Sequence, residues 1–174
     1  MIPDIKRIEQ KATELERGRD LVMQQSRELI KAAGKAMAFM HAFGPKRAQT
    51  ALKDLKALKD GLCKVEKGFE YYSLQAHQEY SEALILHSVL LSKRIPAMKE
   101  IGESEVPYLL GLMDAVGELK RESIESLRKG EIGDAKAYYQ IMSDIYDSTL
   151  HMRFANSVLP DFRRKQDSAR IQLA

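Results

Sequence analysis

Tryptophan is absent from this chain, cysteine occurs once, and proline occurs only five times. A single cysteine excludes an internal disulfide and fits a reducing compartment, so a cytoplasmic location is expected. Nothing in the neighbourhood of Cys63 (GLCKVEKG) supplies a base to activate it, and it reads as packing filler. Five Pro and ten Gly in 174 residues leave room for few, short loops. β-Branched residues are sparse while Ala, Leu, Lys, Glu, Arg and Met abound, a composition that favours helix over sheet. No apolar run approaches the roughly 20 residues needed to span a bilayer. The N-terminus, MIPDIKRIEQ, also lacks the apolar core of a signal peptide. No membrane partner is expected. Charge of neither sign dominates: 28 basic and 25 acidic residues give +3, too mild to announce a nucleic-acid binder by itself. What remains is a chain 44% apolar and 30% charged, of a length that suits one domain with a sizeable core, spanning residues 1–174.

Helical spacing runs almost from end to end. Ile5, Ile8, Ala12, Leu15, Leu21, Val22, Leu29, Ile30, Ala33, Met37 and Met40 recur at three and four, which predicts a first helix from Pro3 to Phe43. Pro3 stands where a first-turn proline would, and Gly44-Pro45 ends the element. An amphipathic second helix is expected from Lys46 to about Lys64, and a third from about Phe69 to Lys93, broken by Ile95-Pro96. A short helix near Pro96–Ile101 follows. Pro107 then opens a fourth long helix to about Lys129. GEIGD (Gly130–Asp134) reads as a turn with Asp134 as N-cap, and a fifth long helix is expected to run to about Val158, where Pro160 stops it. A short basic helix, DFRRKQDSARIQLA, completes the chain. The expected fold is all-α, a single-domain bundle of about six to seven helices whose short loops make neighbours antiparallel.

Two of these helices carry carboxylates on apolar stripes. In QEYSEALILHSVLL (Gln78–Leu91), seven of the nine residues from Ala83 to Leu91 are apolar, so this helix belongs in the middle of the bundle. Glu79 and Glu82 share one face, and the same stripe continues to Leu86 and Val89. In YLLGLMDAVGELKR, Asp114 and Glu118 again share a face, with Gly111 and Gly117 close by, leaving room for another backbone to approach. Four carboxylates meeting in an interior repel one another unless they bind divalent cations, and an oxygen-only set suits Mg²⁺, Mn²⁺ or Ca²⁺. Such spacings are also common on solvated helix surfaces. Here the continuous apolar stripe sets the two readings level. A di-iron bundle needs Glu-x-x-His on two helices; no Glu in this sequence has a His three residues later, which excludes it.

At these motifs the sequence resembles the translin family, and within it the catalytic branch of translin-associated X subunits. QEYSEA (Gln78–Ala83), YLLGLMDAVGEL-KR (Tyr108–Arg121), the spacing on to Gly130 and Asp134, and SRELI (Ser26–Ile30) carry the resemblance over nearly the whole chain, as in an archaeal- or bacterial-type single-chain homologue. Translin itself has a basic residue where Glu79 stands and an apolar one where Glu82 stands, although Tyr71-Tyr72 here is closer to the translin pattern. Relatives carry a longer final helix than the one that reaches Ala174. The resemblance implies helical bundles assembled into hollow, roughly octameric homo-oligomeric shells that cut single-stranded RNA. It places Mg²⁺ (or Mn²⁺) on Glu79, Glu82, Asp114 and Glu118 as metal ligands and catalytic residues. Single-stranded DNA is a second candidate substrate.

Arg27, Lys31 and Lys35 form a basic stripe on the first helix. Such a run is usually a solvated face, though inside a shell it would line an RNA-binding cavity. Arg121 matches an Arg shared by the family. It is a candidate for holding RNA phosphate, with pairing to Glu118 or Glu122 as the plainer role. Arg163, Arg164 and Lys165 read first as solvated. His77 and His87 read as packed or hydrogen-bonded, and none of His41, His77, His87 and His151 is assigned a catalytic role. Two functions stand foremost at this point, a metal-dependent endoribonuclease and a non-catalytic single-stranded nucleic-acid-binding protein of translin type, with a helical metal carrier as a third.

Overall fold

The computed structural model describes residues 4–174, so Pro3 lies outside the described residues. Seven α-helices follow one another with no strand among the described residues: α1 Ile5–Phe43, α2 Gln49–Val65, α3 Glu70–Ser92, α4 Met98–Ile101, α5 Glu105–Arg128, α6 Ile132–Thr149 and α7 Phe162–Leu173. None of these helices is long and apolar enough to cross a membrane.

The spacing that marks each helix also decides what it buries. In α1 the stripe Val22, Leu29, Ala33, Met37 and Met40 is buried, whereas every residue from Ile5 to Arg17 is exposed. The first third of this helix therefore runs beyond the body of the bundle with Ile5, Ile8 and Leu15 uncovered. Gly44, at φ 83, closes α1 by donating its backbone N–H to Met40 O. Pro45–Ala48 then form a tighter 3-10 turn, so α2 starts at Gln49, three residues later than its amphipathic pattern predicts. Helix α3, apolar nearly all round, lies between α1 and α5 as that composition requires. Helix α5 packs in turn on α6 and α7, and one hydrophobic cluster runs from Val22 to Ala169.

Three further boundaries differ from the sequence pattern. Helix α5 begins at Glu105, so Pro107 sits inside its first turn, where a missing N–H costs no helical hydrogen bond. Glu131, not Asp134, precedes α6; Asp134 lies in the first turn and pairs with Lys93 at 3.3 Å. Helix α6 ends at Thr149 rather than near Val158. Its end is stabilised from outside: the Gln166 side chain donates to the freed Thr149 carbonyl at 2.6 Å. Asp161, at φ 57 and held by its N–H to Asn156 Oδ1 at 2.8 Å, then turns the chain so that α7 folds back over α5.

The tightest crossing is α3 against α5. A Cβ on Gly111 would fall 2.6 Å from Gln78 O, 2.7 Å from Ser81 Cβ and 2.9 Å from Glu82 N. Only glycine permits this approach. Gly117 serves a different contact, since a Cβ there would meet the Gln172 side chain of α7 at 3.3 Å. Gly111→Ala should destabilise the protein by about 1–3 kcal/mol through overpacking, despite alanine's better helix propensity. Denaturant melts of the two proteins check this, and equal midpoints would mean the helices separate without cost.

Candidate active site

Because α3 is buried on nearly every side, Glu82 has no solvated face to turn to and is 7% exposed, on the same stripe as the fully buried Leu86 and Val89. Gly111 brings α5 onto the Gln78–Glu82 backbone, and Asp114, one turn further along α5, consequently faces α3. There it accepts a short hydrogen bond from the Gln78 side-chain amide. Glu79, Glu82, Asp114 and Glu118 fall within one another's electrostatic reach. The sequence spacing alone gave two pairs; the α3–α5 crossing makes them neighbours.

Each carboxylate is compensated differently. Lys165 of α7, buried to 8% exposure, places its Nζ 2.5 and 2.6 Å from the two Asp114 oxygens. His41, at the end of α1, bridges α5: its Nε2 lies 2.5 Å from Glu118 Oε2 and its Nδ1 bonds Glu122. Those two bonds raise the imidazole to about 9, so it is a cation at neutral pH, and the His41 bond in turn lowers Glu118. Glu82 has no hydrogen-bond or ion-pair partner among the described residues. Burial first, then the charges of Asp114, Glu79 and Glu118, push its carboxyl up to about 8. Glu79 is raised by the same two causes, burial and then Asp114.

Two of these partners were not expected. The basic run Arg163–Lys165 has the composition of a solvated face, but only Arg163 and Arg164 are exposed. No role was assigned to His41. A signal existed for both. Lys165 lies between Phe162 and Ala169 at helical spacing, and His41 continues the Met37 stripe, so each is a polar residue on an apolar face. The expected RNA-binding residues Arg27 and Lys31 are exposed on α1, as is Lys35. The Arg121 side chain is 63% exposed and only 4.0 Å from Glu118, a loose contact in high dielectric. Arg121 also lines a cavity of about 590 Å³ with His41, Lys120 and Arg128. On the other side of Asp114, Tyr71 and Tyr72 line a cavity of about 400 Å³ together with Gln78, Arg164 and Lys165.

The chemistry of this donor set fits a divalent cation: oxygen ligands only, and a buried carboxyl without a partner. The arrangement shown, however, turns Asp114 to Lys165 and Glu118 to His41. Among the described residues the four carboxylates do not gather three donor atoms within 4.8 Å of one another; a different set does, Cys63, Glu66 and His77.

The raised Glu82 has a measurable consequence. Between about pH 4.5 and 8 the unfolded chain releases this proton while the folded one keeps it. Its contribution to stability is therefore complete below pH 4.5 and is lost as pH rises to 8. His41 adds a loss of the same sign between pH 6.5 and 9. In EDTA, stability should fall across this range. Glu82→Gln should flatten the fall between pH 5 and 8, as read from denaturant melts at stepped pH; parallel curves would contradict the burial of that carboxyl.

A sequence model of the translin family matches residues 17–174. An uncharacterised protein of Methanocaldococcus jannaschii is 34% identical over 103 residues, covering 59% of this chain. The match spans less than half of that relative's length, 46%. Among solved structures, apo NeC3PO is similar with a TM-score of 0.86 at 28% identity, over 99% of this chain and 93% of the other. AfC3PO, solved in complex with duplex RNA, has a TM-score of 0.84 at 24% identity, over 97% and 90% of the two chains. With the family's sequence pattern matched from Arg17 to Ala174 on a bundle of the same shape, this chain belongs to the translin family.

Proposed function

We propose that this protein is a metal-dependent endoribonuclease for single-stranded RNA, with Glu79, Glu82, Asp114 and Glu118 holding Mg²⁺ or Mn²⁺. The observation that carries the reading is Glu82, a carboxyl buried at a helix crossing without a partner and raised to about 8 by burial and three neighbouring carboxylates. A carboxyl so strongly shifted at a helix crossing, with no side-chain partner among the described residues, marks a place where a cation can bind. The metal, when bound, supplies Lewis-acid polarisation of the scissile phosphate and activation of the attacking water. The protein supplies the rest. With Asp114 among the residues that would hold the metal, Lys165 would be free to hold a phosphate oxygen. His41 holds Glu118 and Glu122 in place. Tyr71, 84% exposed beside the Lys165 cavity, offers a face on which a base stacks, which suits an unpaired strand. Arg121, Lys120 and Arg128 track the backbone on the other side, with Arg27 and Lys31 contributing long-range attraction. The uncovered Ile5, Ile8 and Leu15 on the protruding part of α1 are the apolar surface through which copies of the chain assemble into a shell.

One observation favours a second reading, non-catalytic nucleic-acid binding: Lys165 and His41 already neutralise two of the four carboxylates without a metal. Labelled single-stranded RNA incubated with Mg²⁺, with Mn²⁺ and with EDTA separates the two. The nuclease reading expects cutting that EDTA stops and that Glu82→Ala and Asp114→Ala each abolish with helical content unchanged. Binding without metal-dependent cutting selects the second.

Lys165→Met removes a cation that competes for Asp114. It should raise Mn²⁺ affinity severalfold, as measured by calorimetric titration, while weakening RNA binding. An unchanged or lower Mn²⁺ affinity would separate Asp114 from the metal.

A further inference from the structure

Two residues before Glu79 on the same helix, and so about 200° round it, His77 opens onto the opposite face of α3. It reaches a group that the nuclease reading does not use. Cys63 and Glu66 stand three apart at the C-terminal end of α2, one above the other on the helix surface. The Cys63 thiol, a Glu66 oxygen and a His77 ring nitrogen lie within 4.8 Å of one another. Four ligands around one zinc at ordinary bond lengths sit roughly 3.5 Å apart, so small side-chain rotations bring this trio to bonding distance.

The ring is also aimed. His77 Nδ1 donates to Glu103 Oε1 at 2.7 Å, and the Glu103 side chain is only 3% exposed. Lys59 stands 3.8 Å from the same carboxylate and donates to the Gly102 carbonyl at 2.6 Å, which fixes the α4–α5 loop that carries it. Nε2 is thereby left facing Glu66, 2.8 Å away, and Cys63 beyond. A buried carboxylate on one imidazole nitrogen and potential ligands on the other is the arrangement that orients metal-binding histidines. A cavity of about 400 Å³, lined by Cys63, Glu66, His77, Glu103, Leu74 and Pro107, lies over the trio and leaves space for a fourth ligand.

We propose that Cys63, Glu66 and His77 form a zinc site, with water from the cavity as fourth ligand and Glu103 as the positioning residue. A thiolate and an imidazole select zinc over the Mg²⁺ or Mn²⁺ suited to the all-oxygen set. Zinc takes Cys63 as thiolate and His77 as neutral imidazole, so the thiol proton and the proton shared between His77 Nε2 and Glu66 pass to solvent as the bonds to the metal form. The ion ties the end of α2 to α3 across the turn at residues 66–69, and through Glu103 to the loop before α5. The site stands independently of the nuclease reading.

Cobalt(II) titrated into the full, reduced chain is the test, because cobalt replaces zinc and reports thiolate ligation by a near-ultraviolet charge-transfer band. The expected result is a saturable band that zinc displaces, that Cys63→Ser abolishes, and that survives Glu82→Gln in the carboxylate site. Glu103→Gln should keep the band but weaken cobalt binding about 10–100-fold. Cys63 is exposed, so its serine variant is expected to keep the parent's helical content and melting curve. No band at saturating cobalt, or a band that persists in folded Cys63→Ser, overturns the site and leaves Glu66, His77 and Glu103 as an ion-paired chain.

Discussion

Four carboxylates crowd one helix crossing, Glu82 buried and Glu79, Asp114 and Glu118 half-buried, and much of this structure answers their mutual repulsion. At the effective dielectric of a protein, like charges a few ångströms apart cost several kcal/mol per pair. The bundle meets this with three devices drawn from three parts of the chain. The end of α1 contributes His41 to Glu118 and Glu122, the start of α7 contributes Lys165 to Asp114, and α3 keeps a proton on Glu82. Each device is reversible. On the metal-binding reading proposed above, a cation would be released or a proton lost when the metal arrived, so the groups that balance the carboxylates in the fold would also ready them for it.

The topology at the C-terminal end follows from this. If α6 continued to Val158, α7 would start too far along to return over α5. Ending α6 at Thr149, with Gln166 on the last carbonyl and Asp161 in the left-handed region, gives Leu150–Asp161 the length to reverse direction. Lys165 then comes down on Asp114 with Phe162 and Ala169 packed on either side of it. Gly111 is the counterpart on the other side: without its missing side chain, α5 would stand too far from α3 for Asp114 to meet Gln78.

Helix α3, packed on nearly every side, presents different side-chain chemistry on two of its faces. One face presents Glu79 and Glu82 towards α5, the other presents His77 to α2 and the α4–α5 loop. The donor chemistries differ accordingly. The first face offers carboxylate oxygens, countered by the cations of Lys165 and His41. Sulfur, nitrogen and oxygen gather on the second, where the Cys63 thiol lies near an imidazole. That contact is invisible locally, since Cys63 and His77 sit on different helices joined by a turn.

The sequence by itself determined the helical class, the order of the helices, the central place of α3, and the two carboxylate pairs, because periodicity and breakers act over a few residues. It also marked Gly111 as a place where helices touch. Arg27, Lys31 and Lys35 could be placed on an exposed face for the same reason, although spacing says nothing of what that face binds. Only the tertiary structure decided which residues balance the carboxylates. Lys165 stands 51 residues from Asp114 and His41 stands 77 from Glu118, and such pairings depend on where a helix ends and how the chain turns back. The end of α6 escaped the local pattern because Gln166 stabilises it from another helix. Charge compensation in a bundle is a long-range property. The residues that need it can be read from their own helix, and those that supply it cannot.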